Sequence, residues 1–350
     1  MQSFLTELVE RGVMTAAVGL TGSAEEVFWE GAAGEAREGV PAAASTRFDL
    51  ASITKVFMGT LALVLDASGE LRLGSRIGEV WPEAHPRLAR KPLSDLLRHR
   101  SGAAGWTPLY HRCRSLEEAR ELIVRGGDGG DLVGARAGTY SDLGCILWGW
   151  AVEIATGVRL AGLLRSRVLE PLGLGSIEPA PGPRPDLAAS RMGTGMEVRL
   201  AARQGFTVPD LGPPSLGEPQ DGNARFLARF GGGVWGHAGL FGGARDLWRL
   251  GVEWLAPGRL LHPEGVAAAL SGGGWTALGW LRRTRQGSAG RALPPSAFGF
   301  TGFAGDSFWI DPERGRVYVL LGSRVDPLDD INRWRRRFHT LAVRAGSASL

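Results

Sequence analysis

Between Asp49 and Asp66 the chain reads Leu-Ala-Ser-Ile-Thr-Lys-Val-Phe-Met-Gly-Thr-Leu-Ala-Leu-Val-Leu, and Lys55 is the only charged residue in that run. Apolar side chains fall all round this helical stretch, which predicts burial on most sides. A buried lysine is costly to keep ionised, and desolvation pulls its pKa down toward neutrality. Ser52 stands three residues earlier, on the same helix face. A hydroxyl beside an uncharged amine is an activated nucleophile, because the amine accepts the hydroxyl proton as the oxygen attacks. The helix N-terminus adds backbone N–H groups for a developing oxyanion. Alternatively, Ser52 caps the helix and Lys55 snorkels outward. Ser-x-x-Lys alone does not separate the two.

A second set is Tyr140-Ser141-Asp142, placed after Gly138-Thr139 and just before an amphipathic segment. A tyrosine in such a loop can point its phenol into a cleft, where a neighbouring lysine would lower its pKa. Equally, Ser141 or Asp142 can cap the helix with Tyr140 in ordinary packing.

These residues need elements to hold them. A short helix is predicted from Phe4 to Arg11, then strands over Met14–Leu20 and Glu26–Glu30 forming a hairpin. A helix follows from about Ser52 to Ala67, ending at Ser68-Gly69. Residues 70–175 read mostly helical. Within them Leu143, Ile146, Leu147, Trp150, Ala151 and Ile154 mark the amphipathic helix Asp142–Thr156. Glu178–Gly233 is proline-rich and reads as a long loop, of the kind that shapes binding sites. Strands return at Ser307–Ile310 and Val317–Leu321, followed by a helix from Ile331 to Ala345. The pattern predicts an α+β protein. An antiparallel sheet flanked by helices, from about 1–68 and 235–350, carries an inserted, mostly helical subdomain at about 69–234.

Composition narrows the classes. The chain has 350 residues, 44% hydrophobic and 22% charged, enough for a large core and unlike a disordered or disulfide-stapled protein. Cys113 and Cys145 form no framework, and His85, His99 and His111 lack ligand spacing, so no metal or other cofactor is expected. The net charge is +4, and the dense run Arg333–Arg337 reads as a solvated helix face, so no nucleic-acid partner is expected. Gly231-Gly-Gly-Val-Trp-Gly236 fits G-x-G-x-x-G but follows no convincing strand, and nucleotide binding is discounted. Neither a signal peptide nor a membrane span is visible, which makes the cytoplasm the expected compartment.

Several blocks occur in order: Phe48-Asp-Leu-Ala-Ser-Ile-Thr-Lys55, Leu96-Leu-Arg-His-Arg-Ser-Gly102, Tyr140-Ser-Asp-Leu-Gly144, Pro171-Leu-Gly-Leu174, Gly236-His-Ala-Gly-Leu-Phe241 and Phe298-Gly-Phe-Thr-Gly-Phe-Ala-Gly305. Together they resemble the serine β-lactamase-related family of class C β-lactamases, D,D-peptidases and family VIII esterases, from about residue 14 to the end. The resemblance implies an active site in the cleft between sheet and helical subdomain. It makes Ser52 the acylated nucleophile, Lys55 its proton partner and Tyr140 the base or relay. The third family motif aligns with Phe300-Thr301-Gly302, and the backbone N–H groups of Ser52 and Phe303 would form the oxyanion hole. Two departures stand out. Phe300 replaces a Lys or His and can neither carry charge nor relay a proton. Asp142 replaces an Asn and cannot donate to a substrate carbonyl. Both weaken a β-lactam or D-Ala-D-Ala substrate and favour a small neutral ester, with Asp142, Phe300, Thr301, Gly302 and Phe303 as substrate-facing residues. The alternatives are a catalytically impaired relative that binds peptide or cell-wall-like ligands, or D,D-peptidase or β-lactamase activity. His237 is expected to line the cleft or hold structure rather than catalyse.

Overall fold

The computed structural model describes residues 1–347 apart from Gly232 and Leu328, so the second residue of the G-x-G-x-x-G run lies outside the described residues. Ten strands form two sheets among them: β1 (Met14–Gly22), β2 (Val27–Arg37), β3 (Val40–Pro41), β4 (Phe48–Asp49), β5 (Glu178–Pro179), β6 (Leu240–Gly242), β7 (Leu281–Arg282), β8 (Phe298–Thr301), β9 (Ser307–Asp311) and β10 (Arg316–Arg324). Seven strands run in the order β3-β2-β1-β10-β9-β8-β7 with every pair antiparallel, and β4-β6-β5 make a small second sheet. The first strand and the last therefore lie side by side, with Val18 opposite Leu321.

Period-2 alternation in these central strands feeds two separate cores. Ala17, Tyr318 and Leu320 face the first and last helices, Gln2–Glu10 and Ile331–Ser347, where Phe4, Leu8, Trp334 and Phe338 meet them. Val18, Leu20, Val319 and Leu321 face the opposite way, into the larger core with Leu247 and Leu250 of the helix Ala244–Leu255. Leaving one of these side chains exposed would forfeit about 1.5–3 kcal/mol.

The helix Thr54–Ala67 lies inside that larger core, with Val56, Phe57, Met58, Leu61 and Ala62 all buried. It packs against the helices Ser94–Leu97, Leu160–Leu164 and Pro263–Leu270. Gly59 permits this, since a Cβ there would stand 2.5 Å from the Leu278 carbonyl oxygen.

Two expectations are revised. Glu178–Gly233 is not a continuous loop: it contains the helices Gly195–Arg203 and Gly222–Ala228. The prolines sit outside both, and Asp221 caps the second by accepting from the Ala224 N–H at 2.7 Å. The Arg333–Arg337 run is not one solvated face. Arg333, Arg336 and Arg337 pair with Asp329, Asp330 and Glu7, while Arg335 is buried and donates to the Gly302 carbonyl at 2.5 Å. Helical periodicity turns one arginine of the run inward.

Candidate active site

Ser52 occupies a short 3-10 turn, Ala51–Ile53, just ahead of the helix Thr54–Ala67. Its hydroxyl makes no capping bond; the helix begins at Ile53 without a side-chain cap. Ala51 sits at φ +44°, an uncommon conformation for a residue with a Cβ. The Asp49 carboxylate holds this turn, accepting from the Ala51 N–H at 2.8 Å and from the Gln220 N–H at 2.6 Å.

Two groups converge on the Ser52 Oγ. Lys55 Nζ donates to it at 2.9 Å and the Tyr140 hydroxyl at 2.8 Å. Lys55 also donates to the His237 carbonyl oxygen at 2.8 Å and meets Asp142 Oδ1 at 2.7 Å. Its side chain is wholly buried, as the sequence predicts. Its charge is not as predicted. Burial works against the ammonium, but the adjacent Asp142 carboxylate outweighs it, helped by Tyr140, and Lys55 is held above the ordinary lysine range. The expectation of an uncharged amine fails because it counted desolvation and omitted a counter-ion 87 positions away.

Asp142 is free for this because Ser141 caps the helix Asp142–Thr156: its Oγ accepts from the Gly144 N–H at 2.9 Å and donates to the Ala104 carbonyl at 2.6 Å. Tyr140 is positioned by His99, whose ring lies 4.7 Å from the phenol ring and whose Nδ1 accepts from the Ser141 N–H at 3.0 Å. Burial, then the nearby Lys55, push the His99 pKa down to about 3, so this imidazole is neutral. Burial raises the Tyr140 phenol, and Lys55 pulls it partly back.

Ser52, Tyr140 and Asp142 line a cleft of about 290 Å³ together with Thr301, Gly302 and Phe303 from the end of β8. Phe300, one residue earlier, is 1% exposed and stands behind this wall, with its ring 6.2 Å from that of Tyr140 and 5.9 Å from Lys55 Nζ. Gly302 donates to the Asp306 carbonyl, whereas the Phe303 N–H has no acceptor among the described residues. His237 enters through its carbonyl, and its buried ring contacts Asp221 at 3.0 Å.

Sequence reasoning did not single out Trp106, Glu197, Gln220, Asp221, Arg324 and Arg335, which complete the cleft wall. They come from loops, from the helix Gly195–Arg203, from the end of β10 and from the last helix, where no local spacing advertises a role. His99 was inside a recognised block, but its part in seating Tyr140 is purely tertiary. Among the described residues, no group of three or more His, Cys, Asp or Glu side chains could hold a metal, and no single helix is long and apolar enough to cross a membrane.

Comparison with known proteins agrees with this fold. A family model described as Beta-lactamase matches residues 1–342. Esterase EstB of Burkholderia gladioli is 30% identical over 356 residues, covering 88% of this chain and 86% of its own. A putative D-alanyl-D-alanine carboxypeptidase of Escherichia coli (strain K12) is 27% identical, covering 81% of this chain and 70% of its own. Among solved structures, EstCE1, described as a hydrolase with promiscuous acyltransferase activity, superposes with a TM-score of 0.75 at 19% identity, covering 97% of each chain. A class C β-lactamase from Rhodobacter sphaeroides gives a TM-score of 0.72 at 18% identity, covering 99% of this chain and 98% of that one.

Proposed function

The chain belongs to the β-lactamase family of serine hydrolases, and on that premise we propose that it cleaves a small ester through an acyl-enzyme on Ser52. The observation that carries this is the Ser52 Oγ held between Lys55 Nζ at 2.9 Å and the Tyr140 hydroxyl at 2.8 Å in the wall of a cleft. Lys55 is an ammonium, so the base is the minor phenolate fraction of Tyr140, which burial disfavours and the ammonium favours. The phenolate takes the Ser52 proton while Oγ bonds to the substrate carbonyl carbon. The oxyanion is received by the N–H groups of Ser52 and Phe303. Collapse breaks the bond to the alcohol oxygen, which leaves with the proton from Tyr140. Water then attacks the acyl carbon while Tyr140 takes its proton; the bond to Ser52 Oγ breaks, Tyr140 returns the proton to that oxygen, and the acid leaves.

The substrate carries no carboxylate, as the small neutral ester of the sequence reading does not. Phe300 offers no charge, and the arginines at that end are engaged. Arg335 donates to the carbonyls of Gly302 and Gly305, and Arg324 to those of Asp326, Pro327 and Asp329. A fluorophosphonate probe or p-nitrophenyl acetate should acylate Ser52, and Ser52→Ala should abolish the reaction; full labelling of the alanine variant would defeat the assignment.

A second reading, a relative that binds ligands without turning them over, has one observation in its favour: Lys55 is protonated and the Tyr140 phenol is raised by burial. The two readings part on pH. Hydrolysis with a phenolate base rises steadily above neutrality, whereas a binder shows ligand-dependent thermal stabilisation with no turnover at any pH.

A further inference from the structure

Away from Lys55 the cleft wall turns acidic. Glu197, on the helix Gly195–Arg203, and Asp221, the cap of Gly222–Ala228, line the same cavity as Ser52. Gln220 lines it too and is 2% exposed. Its amide nitrogen donates to the Gly193 carbonyl at 3.0 Å, but its Oε1 receives no donor among the described residues. A buried acceptor left unpaired costs about 1–3 kcal/mol, so this wall lacks a donor.

Nearby cations do not supply it. Arg225 donates to the carbonyls of Pro219, Gly212 and Gln220, and Lys55 faces Asp142. Asp221 Oδ1 already takes the Ala224 N–H and the His237 ring, and Glu197 Oε1 takes the Gly222 N–H at 2.8 Å. The second oxygen of Glu197 is buried against Tyr110, whose hydroxyl bonds to it, so what remains is the second oxygen of Asp221 and the Gln220 amide oxygen.

We propose that the cleft selects esters bearing a primary ammonium group, seated between Asp221 and the Gln220 amide oxygen with the Glu197 carboxyl behind them. One compact cation with several N–H donors can serve both acceptors at once. Burial, then Asp221, hold the Glu197 carboxyl above its ordinary range in the empty cleft. An arriving ammonium reverses that balance and expels the Glu197 proton. This inference rests on the acyl-enzyme reading and narrows its substrate from any ester without a carboxylate to a cationic one.

The test compares neutral and cationic isosteres on the intact protein. Alanine p-nitrobenzyl ester against isobutyric p-nitrobenzyl ester places the ammonium in the acyl half. 2-Aminoethyl isobutyrate against propyl isobutyrate places it in the alcohol half. In at least one pair the cationic member should lead by tenfold or more in kcat/KM at pH 7, chiefly through KM, and Glu197→Gln should cut that ratio below threefold. n-Propylammonium should compete with p-nitrophenyl acetate at least tenfold better than n-propanol. Its binding, followed by calorimetry in buffers of different ionisation enthalpy, should release protons. Ratios within twofold of unity in both pairs, with no competition by propylammonium, overturn the inference. If Ser52 nevertheless takes up the fluorophosphonate, the acyl-enzyme reading survives; if Ser52 is inert, that reading falls independently.

Discussion

Two buried charge sites flank the cleft, and the protein treats them oppositely. On one side Lys55 is fully buried yet keeps its proton and its charge, because Asp142 touches it at 2.7 Å. On the other, Asp306 lies just as deep beneath the Gly302–Phe303 turn, and its Oδ2 has no partner among the described residues. Burial, reinforced by Asp49, holds the Asp306 carboxyl far above its usual range, and Arg335 offsets this only in part. Opposite charges a few ångströms apart attract by about 4 kcal/mol at an effective dielectric near 20, and the attraction weakens with distance. Contact, more than depth, decides which group stays ionised.

The largest effect should come from breaking the contact. Asp142→Ala strands a buried ammonium, and loss of one partner of a buried pair costs about 3–5 kcal/mol. Denaturant unfolding at pH 7 should show a loss of at least about 3 kcal/mol, shrinking by pH 10 as Lys55 gives up its unpaired proton. Asp142→Asn should retain more stability, yet move the rising limb of the esterase pH profile toward lower pH, because Asp142 raises both Lys55 and Tyr140. A loss under 1 kcal/mol for the alanine variant would mean that the ion pair does not hold Lys55 charged.

This contrast also marks what the sequence carried. Ser52 and Lys55 were legible because both lie in one helical segment, where spacing and apolar neighbours speak for themselves. The antiparallel sheet was legible at β1, β9 and β10, whose alternation is strong. Asp142 was noticed as a departure from Asn, but its contact with Lys55 depends on how two helices pack. Ser141 settles the matter by taking the cap, and nothing in Tyr140-Ser141-Asp142 chooses between the two candidate caps. The helices inside Glu178–Gly233 were hidden by the prolines around them, and with them went Glu197 and Asp221. Arg335 was read as part of a surface run because charge density outweighed periodicity.

A middling effect, of opposite sign, is expected on the other side. The folded Asp306 carboxyl keeps its proton above the pH, near 4, at which the unfolded chain releases it. The native state then binds more protons than the unfolded one, and its stability falls as pH rises through that window. Asp306→Asn removes this dependence. The variant should match the parent at pH 4 and gain stability progressively through pH 7 and above, on the order of 1 kcal/mol by the last point, since unfilled hydrogen-bonding needs at the site limit the gain. Thermal unfolding across the range reads this directly, and a gain independent of pH would show that Asp306 is ionised in the fold.

The smallest effect separates the rings from the carboxylate as holders of the Lys55 charge. Phe300 presents its ring 5.9 Å from Lys55 Nζ, close to the limit of about 6 Å at which such attraction operates. Phe300→Leu keeps the site apolar but leaves part of the ring volume unfilled, a large-to-small core change that costs on the order of 1 kcal/mol. If Asp142 carries the charge, that loss is one of packing and stays the same from pH 6 to pH 10. If the ring carries it, the loss shrinks at alkaline pH, when a neutral Lys55 no longer gains from the ring face. A pH-independent loss therefore assigns Phe300 to the wall behind the cleft, and a pH-dependent one makes it part of the electrostatic machinery around Lys55.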